Sequence, residues 1–187
     1  MMNRHAQIWI ETVLYTLIGI ALIGLVLSYV FPKIQDTQER LLIEQTIESL
    51  HALDEVIAVV LERGPGNVKS YGFEMGRGTL FIDAERYEIK VVIAGLSTEY
   101  SEPGVEIDDG RILLLTTKEQ QGMSISMKLI YGNIGINLTM QGSDESRTFT
   151  QAATPYTFFV ENRETVDGNG LRKTSIDIVE AANRIAG

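Results

Sequence analysis

The side chains that usually carry chemistry are sparse here. The chain has no cysteine and only two histidines, His5 and His51. Disulfides, thiolate metal sites and cysteine nucleophiles are therefore excluded. A zinc centre that needs several imidazoles has too few ligands. A lone histidine among helical residues is ordinarily a surface or packing residue, so His51 receives no role. No Gly-x-Ser-x-Gly elbow and no phosphate-binding glycine loop occurs. Acidic residues outnumber basic ones, 25 to 16, for a formal net charge of −9. In so acidic a chain, carboxylate pairs arise by chance and mark no catalytic centre. The residues thus read as no enzyme, with no cofactor and no metal. No lysine- or arginine-rich run is present, which argues against nucleic acid as a partner.

Three features remain. Asp108-Asp109-Gly110 and Asp167-Gly168-Asn169-Gly170 offer oxygen ligands of the kind Ca²⁺ takes. Asp, Asn and Gly are also the ordinary turn formers. Neither run has the spacing of a calcium loop, and turn formation is the preferred reading. Asn137-Leu138-Thr139 is an N-glycosylation sequon; it has meaning only outside the cell and lies in a strand-like run. Glu11 is the third and most informative feature. It is the one charge in the apolar run Ile8–Phe31. A carboxylate in a lipid-facing helix costs ~2.5–3.5 kcal/mol on insertion scales. On its own it reads as a carboxylate at the helix start that snorkels to the interface, favoured by the positive end of the helix dipole.

The element that positions Glu11 is clear. As a helix, Ile8–Phe31 rises ~36 Å, against a bilayer core of ~30 Å that needs ~20 apolar residues. Trp9 and Tyr29 stand near its ends, where aromatic rings favour the membrane interface. A secretory signal peptide cleaved after its apolar region fits poorly. Such regions are ~7–15 residues long, and no small-x-small site stands at a boundary near Pro32. A plain single-pass anchor remains open on these grounds.

The start of the chain, MMNRHAQIWIE, narrows the choice. A short polar leader carrying Arg4 ends in the small residue Ala6. Gln7 follows, the apolar run begins at once, and Glu11 is the fifth residue counted from Gln7. This order resembles the class III signal peptide of archaeal type IV pilin-like proteins. Alanine stands where glycine is commoner in that family. The resemblance covers roughly the first 31 residues. It implies cleavage between Ala6 and Gln7 by a prepilin peptidase that leaves the hydrophobic helix on the mature chain. It further implies that Glu11 pairs with the new N-terminal ammonium of a neighbouring subunit, so that processing licenses assembly.

Beyond Pro32 the apolar positions Ile43, Ile47, Leu50, Leu53, Ile57 and Val60 fall at steps of three or four, with Leu61 directly after, the stripe of an amphipathic helix. Such a stripe ordinarily packs on its own domain; coiled-coil contact between subunits is the alternative. Pro32 is expected to kink the helix near the membrane surface. Arg63-Gly64-Pro65-Gly66 is expected to stop it. Past residue 66 the helical period gives way to short strand-like runs with turn signals between them. Hairpins are expected for Thr79–Ile82 with Glu88–Ala94, Val105–Ile107 with Arg111–Thr117, Ser124–Tyr131 with Ile134–Met140, and Tyr156–Glu161 with Arg172–Ile178. The last residues, from Val179, read as a short helix.

The expected organisation is a leader at 1–6, a transmembrane and assembly helix at 7–31, an amphipathic stalk at 32–63 and an extracytoplasmic β-domain at 67–187. The fold class is α+β, a long helix followed by a sandwich-like β head. The expected function, which rests on the resemblance, is a structural or accessory subunit of a type IV pilus-like surface filament. Its expected partners are membrane lipid, the prepilin peptidase and other pilin-like subunits. The alternative is a single-pass membrane protein whose β-domain binds a ligand or partner and never polymerises. Arg4 is balanced by Lys33 and Arg40 across the span, so charge bias sets no orientation, and the outward-facing head follows from the resemblance.

Overall fold

The computed structural model describes residues 4–166 and 172–181, with side chains described for 9–164 and 173–181. Among the described residues one helix, α1 (Arg4–Glu62), comes first and ten strands follow. The fold is thus α+β, with a long N-terminal helix and a two-sheet β region. Two compact units divide it, Met1–Glu39 and Arg40–Gly187.

Pro32 lies inside α1 and does not end it. A proline removes one N–H, here the donor to the Ser28 carbonyl, but its fixed φ is itself helical. The stop comes where the glycines predict it. Gly64 has φ 84°, and its N–H donates to the Leu61 carbonyl at 3.1 Å, while that of Arg63 donates to Val59. Asn67 Nδ2 donates to the carbonyls of Arg63 and Gly64. Orphan carbonyls at the helix end are thereby satisfied.

Within the second unit the helical stripe becomes core. Leu50, Leu53 and Ile57 have no exposed surface, and Ile43, Ile47 and Val60 are buried beside them. Each such side chain contributes ~1.5–3 kcal/mol by leaving water. The helix therefore forms part of the head's own hydrophobic cluster, as an amphipathic stripe should.

The strands form two sheets. The four-stranded sheet holds β1 (Val68–Phe73), β9 (Tyr156–Val166), β10 (Arg172–Glu180) and β7 (Asn137–Met140), in the order β1-β9-β10-β7. The six-stranded sheet runs β4-β5-β6-β3-β2-β8. Its members are β4 (Glu106–Asp109), β5 (Ile112–Glu119), β6 (Gly122–Ile130), β3 (Glu88–Leu96), β2 (Thr79–Asp83) and β8 (Arg147–Thr150). Burial alternates along the strands, with Leu80, Ile82, Ile89, Val91, Ile112, Leu114, Met127 and Leu129 turned inward. The four-stranded sheet adds Leu138, Phe158, Val160, Ile176 and Ile178 to the same cluster. The β5–β6 turn depends on Gly122, whose φ is 102°; a Cβ there would sit 2.6 Å from the Leu96 carbonyl.

Three expected hairpins are present: β2–β3, β4–β5 and β9–β10 pair antiparallel. The fourth is not. Ser124–Tyr131 and Ile134–Met140 do not pair with each other, because β6 and β7 belong to different sheets. Gly132-Asn133 begins a 3-10 turn, Gly132–Ile134, which ends on Gly135 at φ 74°. That turn carries the chain from one sheet to the other, so that Leu138 and Met140 reach the core from the opposite side. There β7 pairs in parallel with β10 through Ser175–Ile178. The expected terminal helix is also corrected at its start. Val179 and Glu180 close β10 opposite Phe159 and Phe158, because cross-strand pairing captures them. Ala181 is helical; the rest of that segment, like Asp167-Gly168-Asn169-Gly170, lies outside the described residues.

Candidate functional site

The first unit is a bare helix. Trp9 is 71% exposed, and Tyr15, Leu25, Tyr29 and Phe31 are exposed on all sides of it. The helix is long and apolar enough to cross a membrane, and none of the qualifying window is buried within the protein. Exposed apolar surface on this scale calls for lipid or other protein around it. Such surroundings are consistent with a single-pass anchor.

Glu11 sits on this helix and is exposed. It follows Gln7 by four residues, one helical turn. The Thr16 hydroxyl donates to the Thr12 carbonyl at 2.9 Å, and the Ser28 hydroxyl to that of Leu25. These polar side chains thus satisfy themselves on their own helix, leaving Glu11 as the charge in the span. Ala6 and Gln7 lie within α1; their side chains are outside those described.

The second unit carries a polar cluster that sequence reasoning did not find. Asp54, on the flank of the buried helical stripe, accepts from Arg111 at 2.9 Å and from the Tyr131 hydroxyl at 2.8 Å. The Arg111 guanidinium also lies 5.0 Å from the centre of the Tyr131 ring. Burial, and then the Asp54 carboxylate, push the Tyr131 phenol far above its ordinary range, with Arg111 opposing. Beside this cluster, His51 stands 3.6 Å from Asp109. Asp109, the last residue of β4, thus faces a side chain of its own domain, and Asp108 beside it lies on the other face of the strand. Among the described residues, no three His, Asp or Glu side chains are gathered as metal ligands.

The sequon is tied into a second network. Asn137 opens the edge strand β7, half-buried and opposite Ser175. The Thr139 hydroxyl donates to Asp177 Oδ1 at 2.9 Å, and the Gly142 N–H donates to the same oxygen. Asp177 has no exposed surface, and Arg163 Nη1 lies 3.0 Å from its other oxygen. Arg163 also donates to Glu161, and that bond, followed by the charge of Asp177, raises its pKa. Nothing in the sequence distinguished Asp177 from other strand acids; its partners come from 14 and 38 positions away along the chain.

The described residues hold these groups in structural roles. The Asp54 and Asp177 carboxylates are paired with hydroxyls and guanidiniums. No protein-family model matches the chain, and neither the curated proteins nor the solved structures contain a match.

Proposed function

We propose that this protein is a structural or accessory subunit of a type IV pilus-like filament, anchored by α1 and cut between Ala6 and Gln7. The observation that carries the reading is the division of labour along α1. Its N-terminal part exposes apolar side chains all round with the single charge Glu11, while its C-terminal part is built into the β head. A plain anchor gains nothing from a carboxylate in its span, whereas a helix array can pair that carboxylate with an ammonium. The ammonium would be the one freed at Gln7 of a neighbouring subunit. The head then faces outward, for adhesion or for contact within the filament.

Two measurements test this. Intact mass spectrometry of membrane-purified protein from its native host should give a chain starting at Gln7. An uncut start at Met1 sinks the proposal and leaves the single-pass protein that never polymerises. In cells, Glu11→Ala should abolish filaments while leaving the processed chain in the membrane. Unchanged filaments would show that Glu11 has no part in assembly.

A further inference from the structure

The outward face of the six-stranded sheet has a charge pattern that its own domain does not answer. Along one row, the register aligns Phe81, Lys90, Lys128, Leu113 and Asp108 on successive strands from β2 to β4. Their neighbours Leu80, Val91, Met127 and Leu114 are buried, so the row points away from the core. Val92 and Leu115 flank it in the next row, which ends on Glu106.

Lys90 and Lys128 are directly opposite across β3 and β6. Like charges in that relation are unfavourable. Lys90 has one compensation, the Phe81 ring at 5.1 Å. Neither lysine has an ion-pair partner among the described residues. Val92, Ser126 and Leu115 flank the lysines on one side, and Glu88, two residues before Lys90, shares their face on the other without an ion pair to either lysine. In a chain of net charge −9, two adjacent lysines with no ion-pair partner among the described residues leave room for an external acid. The same sheet supplies one at its rim. Strand β4 is an edge strand with all four residues exposed, and Glu106 and Asp108 likewise have no ion-pair partner among the described residues.

We infer that this face docks on a second copy of the chain, with Glu106 and Asp108 of one copy against Lys90 and Lys128 of the other. Centre and rim lie two to three strands apart, ~10–14 Å at ~4.8 Å per strand, so the face is complementary to itself once displaced sideways. The same face meets itself, with the centre of each copy on the rim of the other, so the contact is isologous and closes into a pair. Six strands span ~24 Å, which places the buried area at the small end of specific interfaces. Copies held in one membrane are concentrated enough for so small a contact. The inference concerns the head alone and requires neither cleavage at Ala6 nor a filament.

The test uses the full chain in proteoliposomes, half of it isotopically heavy, treated with a carbodiimide that joins amines to carboxylates. Mixed-isotope peptides linking Lys90 or Lys128 to Glu106 or Asp108 are expected. In a parallel energy-transfer measurement between labelled copies, Lys90→Glu with Lys128→Glu should lower association about tenfold. Adding Glu106→Lys and Asp108→Lys should restore it. Links confined to one isotope, links only at other residues, or association unmoved by charge reversal would each overturn the inference. None of these results depends on whether the chain is processed or polymerises.

Discussion

At the scale of single residues, the polar groups of the head act as fasteners. Tyr131 shows how. Its hydroxyl donates to Asp54 from a position with no exposed surface, and hydrogen bonds to charged groups contribute ~1.5–3 kcal/mol. Tyr131→Phe should therefore lower stability by about 1–2 kcal/mol, read as thermal unfolding of the full chain in detergent. It should also alter the alkaline limb of the stability profile. The folded phenol is held above its ordinary value, chiefly by burial and then by Asp54. The stabilisation is thus complete below the unfolded pKa of ~10 and falls as pH rises beyond it toward the folded value. The wild type should lose stability above about pH 10, and the Phe variant should lose less. Identical alkaline slopes would remove Tyr131 as the cause. Asp83 has the opposite sign. Burial raises its pKa, but hydrogen bonds from the Arg86 N–H and the Ser146 hydroxyl outweigh that and leave it lowered. Its contribution is present above the unfolded carboxylate pKa and is lost as pH falls through the folded one.

At the scale of elements, the junction between α1 and β9 is the telling contact. Asn162 is buried, its Nδ2 donates to the Val60 carbonyl at 3.3 Å, and its backbone N–H and C=O bond Asn67 and Gly66. It ties the helix end, the following loop and a strand into one piece. Asn162→Ala leaves a helical carbonyl buried without a donor and should cost ~1–3 kcal/mol, read as a lowered unfolding midpoint of the head. A change below 0.5 kcal/mol would mean that water replaces the amide, in the manner of a bridging solvent molecule. Much of this level was legible in the sequence. The helical stripe from Ile43 to Val60, the stop at Gly64 and three hairpins follow from periodicity and turn chemistry, which are local. What escaped was non-local. Val68–Phe73 and Arg147–Thr150 are short edge strands without clean alternation, defined by partners far away in sequence. Gly132-Asn133 has the composition of a hairpin turn, and only the burial needs of Leu138 and Met140 send the chain to the other sheet. Asn162, Asp54 and Asp177 look like ordinary surface polar residues until the fold brings their partners.

At the scale of the whole molecule, the exposed apolar helix decides where the chain can reside. No soluble head compensates for that much uncovered hydrocarbon, so the full chain should stay in the membrane pellet through alkaline carbonate washing. Release into the supernatant would contradict an anchor. The proposed cleavage site rests on local sequence alone: Arg4, Ala6, Gln7 and Glu11 are read in order and need no fold. The outer face of the six-stranded sheet was not legible, because it exists only once β2, β3, β6, β5 and β4 lie side by side. A last consequence follows from the strand order of the smaller sheet. Its partners are β1, β7, β9 and β10, so Val68 meets Glu161 and Asn137 meets Ser175. A ribosome delivers β1 long before either strand that completes the sheet. Until then the nascent chain presents unpaired backbone at β1 and an uncovered stripe on α1, surfaces prone to pairing with other chains. The head thus becomes secure only when synthesis passes Glu180, and chains that stop short of it should be substrates for chaperones and proteases.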